Sequence, residues 1–255
     1  MKSHRKLASI IFIFCFSVLA NSPSIASNLS LAESLYASGD YKSALPIFHQ
    51  LAAKGFGSAQ QHLGFMYHYG YGVESDQKKA ANWYRHAAKS GFEPSQYNLA
   101  KFYETGAGVK RDLGQAAFWY EKAAELGNMR AQYALAEAIT HGRGTKADSS
   151  TATYWYKLAA QQGHTQAQYG LALSYAQGRG VERDLELAIH WHDKAASVGF
   201  SSSQYYLGLY HCKGYGVEKD LKLCAYWINQ AHANGHQHAS KIMEQFGLRK
   251  YPSVL

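Results

Sequence analysis

Large apolar, small and polar residues recur along this chain with a period of 36 residues. A leucine followed at once by glycine or alanine marks one position, and an aspartate marks another. All five tryptophans of the chain share a third position: Trp83, Trp119, Trp155, Trp191 and Trp227. A fixed period of this length predicts a stack of supersecondary units, each of which buries its apolar face only against its neighbours.

Each period is expected to form two helices joined by a tight turn. In the first helix, Leu63 and Tyr67 lie four residues apart and share one face, while Gly64 between them lets a second helix approach closely. A Gly-x-Gly pair ends this helix, because glycine takes positive φ without steric cost. The pairs are Gly70/Gly72, Gly106/Gly108, Gly142/Gly144, Gly178/Gly180 and Gly214/Gly216.

The second helix of each period begins after the aspartate, whose carboxylate is expected to accept hydrogen bonds from free N–H groups of the first turn. These aspartates are Asp76, Asp112, Asp148, Asp184 and Asp220. Alanines around the tryptophan let the two helices of a unit pack closely. The indole is expected to fill the space between units, and a glycine closes the helix.

This pattern resembles the Sel1-like repeat, a relative of the tetratricopeptide helix pairs. The segments Leu63–Tyr67, Gly70–Val73 and Trp83–Tyr84 match it, and the match recurs five times. The resemblance implies an all-α fold, a right-handed α/α solenoid. We expect a tetratricopeptide-like unit over 29–58, five repeats over 59–238, a capping helix over 239–247 and a tail over 248–255.

Residues 1–26 have the layout of a secretory signal peptide. Lys2, Arg5 and Lys6 precede an uncharged run of 14 residues, which is short for a membrane span. Cleavage would leave 23 Lys and Arg against 18 Asp and Glu, dispersed over helix surfaces. We therefore expect a periplasmic or secreted protein, with no transmembrane segment in the mature chain and no nucleic-acid partner.

Two cysteines remain after the leader, and both lie in the fifth repeat. Cys212 ends one helix and Cys224 begins the next, so the two are expected to lie near each other across the turn. In an exported protein this arrangement predicts a disulfide, with two buried thiols as the alternative. Histidines crowd the last third of the chain, but their spacing favours packing and surface positions over a metal site, so no metal or cofactor is expected.

The candidate partner-binding residues follow from the tetratricopeptide resemblance, which implies that the first helices line a concave face. Two adjoining columns on these helices contain large or charged side chains, and tyrosine offers contact area plus a hydroxyl at low entropic cost. Packing within the repeat is the alternative role of these tyrosines. The predicted set is Phe65, Tyr97, Lys101, Tyr133, Glu137, Tyr169, Leu173, Tyr205 and Leu209.

The expected function is that of a monomeric, non-catalytic scaffold that binds a protein or peptide on this face. One alternative is a β-lactam-binding or weakly hydrolytic envelope enzyme, as some disulfide-containing members of the resembling family are described. Ser75 and Lys78 have the bare Ser-x-x-Lys spacing of that chemistry, but its companion motifs are missing from the sequence. The other alternative is a peptidoglycan- or glycan-binding module.

Overall fold

The computed structural model describes residues 23–251, and all regular structure in that range is helical. Residues 1–22, with most of the expected signal peptide, and residues 252–255 lie outside the described range. The α-helices are α1 Pro23–Ala37, α2 Tyr41–Ala53, α3 Gly57–Tyr69, α4 Gln77–Lys89, α5 Glu93–Thr105, α6 Leu113–Glu125, α7 Met129–Thr140, α8 Ser149–Gln161, α9 Thr165–Gln177, α10 Leu185–Ser197, α11 Ser201–Lys213, α12 Leu221–Ala233 and α13 Ala239–Gln245, followed by the 3₁₀-helix Leu248–Lys250.

The described residues divide into two compact units, with the boundary between Trp119 and Tyr120. In the first unit each of α1 to α4 packs on the next helix along the chain. In the second unit α7 to α13 do the same. This sequential packing of helix pairs is the all-α repeat fold that the 36-residue period predicts. Within residues 23–251, none of the helices combines the length and the hydropathy that crossing a membrane requires.

The expected aspartate caps are confirmed. The Asp76 carboxylate accepts a hydrogen bond from the Lys79 amide at 2.9 Å. This bond is the main cause that lowers the pKa of Asp76, since it favours the charged carboxylate. The equivalent bonds are made by Asp112, Asp148, Asp184 and Asp220. Each second helix therefore begins at the position that the sequence indicates.

The second glycine of the turn brings consecutive repeats into close contact. Gly180 has a φ of +70°, and a Cβ built there would lie 2.2 Å from the carbonyl oxygen of Ser149, in the first turn of α8. Gly108 stands in the same relation to Gln77 at the start of α4, at 2.1 Å. Glycine is therefore required twice over at these positions, for its backbone conformation and for its missing side chain.

The residue that follows each tryptophan is more deeply buried than the tryptophan itself. All five indoles are only partly buried, whereas the next side chain is almost completely enclosed. These enclosed residues are Tyr84, Tyr120, Tyr156, His192 and Ile228. Trp83 packs against two core clusters of the first unit, in agreement with the expected position between repeat units.

The predicted disulfide is present between Cys212 and Cys224, whose Cα atoms are 5.1 Å apart. Both cysteines are completely buried and belong to a cluster with Ile228, Ala239 and Leu248. The bond therefore joins the last helix pair at the point where α13 and the 3₁₀-helix cover its apolar side.

Candidate partner-binding site

Four of the nine predicted binding residues line one cavity in the second unit. Tyr133 and Glu137 of α7 and Tyr169 and Leu173 of α9 face a space of about 370 Å³, which helix α8 closes from below. The paired residues are four apart on their helices, so each pair projects from one face. The opposite face of α7 carries Leu135, Ala136 and Ile139 into the core.

A hydrogen-bonded polar group forms one side of this cavity. The Tyr156 hydroxyl donates to Glu137 Oε1 at 2.5 Å, and Thr140 Oγ1 lies 3.3 Å from the same hydroxyl. Burial raises the pKa of Tyr156, and the bond to Glu137 raises it further. Glu137 Oε2 forms an ion pair with Arg143 at 3.7 Å and lies 3.6 Å from His141 Nε2. Both carboxylate oxygens are therefore occupied by groups of the protein itself.

Aromatic rings form the other walls. Tyr133 stacks on His164 with ring centroids 4.4 Å apart, and burial lowers the pKa of that histidine. Tyr169 lies 5.4 Å from the Phe200 ring and 6.0 Å from the Tyr206 ring. Burial, reinforced by Tyr206, raises the pKa of Tyr169 to about 12. These rings are held in place by neighbours and present a surface of fixed shape.

Arg179 contributes a cation to the cavity lining. It is the middle residue of the Gly178-Arg179-Gly180 turn, and its side chain is exposed. Thr153 Oγ1 donates a hydrogen bond of 2.9 Å to the Arg179 carbonyl oxygen, which fixes the backbone at this point. Sequence reasoning missed both Arg179 and Phe200, because neither stands in the columns that the tetratricopeptide resemblance selects.

The remaining predicted residues lie elsewhere. In the second unit, Tyr205 stacks on His236 at 4.2 Å and, with Leu209, packs against the C-terminal core cluster. In the first unit, Phe65 stacks on Tyr69 at 6.1 Å and Lys101 pairs with Glu104 at 2.9 Å. Tyr97, also in the first unit, is partly buried.

The Ser75 hydroxyl, the one candidate nucleophile of the enzyme alternative, takes part in a turn. Ser75 Oγ donates to the His68 carbonyl oxygen at 3.0 Å and accepts from Gln77 Nε2 at 3.1 Å. These bonds orient the hydroxyl toward backbone that precedes helix α4. Histidine, cysteine and carboxylate side chains within residues 23–251 form no group of three suited to holding a metal ion.

Comparisons with known proteins agree with this architecture. The Sel1 repeat model matches residues 57–92, 94–128, 130–164, 165–200 and 201–236. The crystal structure of a Sel1 repeat protein from Oxalobacter formigenes is similar, with 31% identity and a TM-score of 0.76 over 88% of this chain and 92% of that one.

A second similar structure is c5321, a protective antigen present in uropathogenic Escherichia coli strains that displays an SLR fold. It shares 27% identity and a TM-score of 0.64, over 90% of this chain and 59% of that chain. No curated protein matches in a sequence search. Because the repeat model covers well over half of the sequence, the chain belongs to the Sel1 repeat family.

Proposed function

We propose that this protein is an exported, non-catalytic scaffold that binds an extended segment of a partner protein along the first helices of its repeats. Sel1 repeat proteins are generally interaction scaffolds. The observation that carries the proposal is the convergence of Tyr133, Glu137, Tyr169 and Leu173 on one open cavity. All four residues belong to columns of the 36-residue repeat pattern.

The construction of the cavity favours binding over chemistry. The polar groups of Tyr156, Glu137 and Thr153 form hydrogen bonds within the protein. Such groups hold a surface in one shape and are not poised as a nucleophile and its base, which catalysis by attack requires. Tyrosine walls with a charged rim also match the composition of protein interfaces, in which tyrosine and arginine are enriched.

Export is the second part of the proposal, and two features support it. The basic start and uncharged run of residues 1–26 have the layout of a secretory signal. The Cys212–Cys224 bond is of a kind that persists in oxidising compartments. We expect cell fractionation to recover a shortened chain outside the cytoplasm. A full-length chain confined to the cytoplasm would contradict this part alone.

Cross-linking in intact cells followed by mass spectrometry tests the scaffold proposal. We expect one dominant protein partner, and we expect the double variant Tyr133→Ala, Tyr169→Ala to recover at least tenfold less of it. The matched control is Tyr154→Ala, Tyr215→Ala, because these tyrosines of the same unit are 56% and 53% exposed and do not line the cavity.

The control variant is expected to capture as much partner as the wild type, with both variants folded as judged by circular dichroism. Equal capture by the lining variant and the wild type would remove the cavity from the function. Recovery of polysaccharide rather than protein would favour the glycan-binding alternative.

A further inference from the structure

Two arginines occupy equivalent positions in consecutive repeats of the second unit but have different partners. Arg143 is the middle residue of Gly142-Arg143-Gly144, and it pairs with Glu137 on the preceding helix at 3.7 Å. Arg179 holds the same position 36 residues later, where the residue equivalent to Glu137 is Leu173. The repeat that contributes Arg179 therefore lacks the carboxylate that neutralises Arg143.

The Arg179 guanidinium is left without an ion pair from any carboxylate of residues 23–251. It stands on an exposed turn at the edge of the cavity, where Leu173, Tyr169 and Phe200 supply an apolar wall. The turn itself is held by the Thr153 bond to the Arg179 carbonyl oxygen and by the contact of Gly180 with Ser149. A cation on a fixed turn is thus presented beside an apolar surface.

The chemistry of this arrangement favours a carboxylate. A guanidinium binds a carboxylate through two parallel hydrogen bonds, and such charge-assisted pairs are stronger than neutral ones. The neighbouring wall then accepts an apolar side chain from the same ligand. We propose that this cavity recognises an acidic side chain, aspartate or glutamate, that stands next to a large apolar residue within an extended segment of the partner.

This inference rests on the proposed scaffold function and adds the class of segment that is bound. The opposite assignment, a basic side chain bound at Glu137 among the tyrosine rings, is disfavoured by geometry. Glu137 Oε1 accepts a hydrogen bond from the Tyr156 hydroxyl, and Oε2 pairs with Arg143 and lies beside His141. A ligand cation would have to displace these groups, whereas a ligand carboxylate displaces none from Arg179.

Selection from a display library of random peptides tests the inference. Both ends of each random segment are joined to carrier protein, so that every carboxylate comes from a side chain. We expect the mature chain to enrich segments with aspartate or glutamate beside an aromatic or large aliphatic residue. Replacing that acidic residue by its amide in a synthetic, end-blocked peptide should weaken binding about tenfold or more.

Two variants examine the site from the protein side. Arg179→Gln removes an exposed cation and should weaken the selected peptides about tenfold or more without affecting the fold. Leu173→Glu restores the carboxylate that the preceding repeat has. The new carboxylate should form an ion pair with Arg179 and so weaken peptide binding to a similar extent. Arg130→Gln, an exposed position on α7 outside the cavity lining, makes the same charge change and should leave binding within about threefold.

The outcomes separate this inference from the proposed function. The selected peptides could lack an acidic preference, bind Arg179→Gln normally and lose affinity for the double variant Tyr133→Ala, Tyr169→Ala. That result would overturn the acidic assignment and leave the scaffold proposal intact. Enrichment of peptides with lysine or arginine, whose binding depends on Glu137, would show that the cavity binds a basic side chain and would overturn the acidic assignment. Failure to enrich any segment would count against both proposals.

Discussion

Gln204 connects two consecutive repeats by donating a hydrogen bond from Nε2 to the carbonyl oxygen of Ala196, 3.1 Å away. The glutamine lies in the first turn of α11, and the carbonyl belongs to the last turn of α10, where it also accepts a hydrogen bond from the Gly199 amide at 2.9 Å. The same buried bond recurs every 36 residues, from Gln60 to Ala52, Gln96 to Ala88, Gln132 to Ala124 and Gln168 to Ala160.

Gln204→Leu should lower the free energy of unfolding by about 0.5–1.5 kcal/mol, because it removes a buried hydrogen bond to the Ala196 carbonyl oxygen, which keeps only its bond from the Gly199 amide. It also removes the acceptor that Gln204 Oε1 offers to Asn234 Nδ2 at 2.9 Å. Urea unfolding followed by circular dichroism measures this loss.

Gln161→Leu is the control for that measurement. Gln161 is exposed at the end of α8, and surface changes of this kind are usually within about 0.5 kcal/mol. If the two variants unfold at the same urea concentration, the recurring glutamine contributes nothing to the junction.

Gly180→Ala and Gly163→Ala should separate the two reasons for glycine in this fold. Gly163 has a φ of +92° but open space around its Cα, so alanine there meets conformational strain of about 1–2 kcal/mol. At Gly180 the new methyl group also meets the Ser149 carbonyl oxygen at 2.2 Å. Overpacking adds about 1–3 kcal/mol to the loss.

The difference between the two glycine variants is therefore the quantity to measure, by urea unfolding under the same conditions. Equal losses would mean that the turn moves away from α8 without cost and that close approach does not constrain the repeat.

The double variant Cys212→Ala, Cys224→Ala should lose about 2–3 kcal/mol of stability, since the bond closes a short loop and restricts the unfolded chain. Adding a thiol reductant to the wild type should give a similar loss, measured by thermal unfolding. The same reductant should leave the double variant unchanged. A reductant effect that persists in the double variant would show that the effect does not come from this bond.

The cap, turn and disulfide positions were predictable from sequence because each depends on a few neighbouring residues. Asp76 stands directly before its helix, and Cys212 and Cys224 flank one turn. The deeper burial of the residue after each tryptophan was not predictable in this way. Two adjacent aromatic residues, such as Trp83 and Tyr84, differ by one helical step, and the period alone does not show which of them faces the interior.

The cavity was only partly predictable, for a related reason. Tyr133, Glu137, Tyr169 and Leu173 belong to columns that the repeat displays. Phe200 and Arg179 come from a helix boundary and a turn, and their role depends on how three helices meet. Arg179 lacks an ion pair because Leu173 stands in its repeat at the position that Glu137 occupies in the preceding repeat. The sequence shows this difference, but its consequence is evident only once the pairing of Arg143 with Glu137 is known.

His192 is expected to make the second unit sensitive to acid. Its side chain is fully enclosed by Tyr169, Tyr206 and Tyr210, with Nδ1 3.2 Å from Ser203 Oγ. Burial lowers the pKa of His192 to about 3. Because the ordinary value is about 6.5, the unfolded chain binds a proton between these limits that the folded chain does not. This difference removes about 1.4 kcal/mol of stability per pH unit as the pH falls through the window.

His192→Tyr introduces the residue that stands at the equivalent positions 84, 120 and 156. Between pH 7 and pH 4.5, the variant should lose about 2–3 kcal/mol less stability than the wild type, as measured by urea unfolding at each pH. His164, whose pKa is also lowered by burial, remains in both proteins and cancels in the comparison. An identical acid loss in the two proteins would mean that His192 takes up its proton in the folded state as readily as in the unfolded chain.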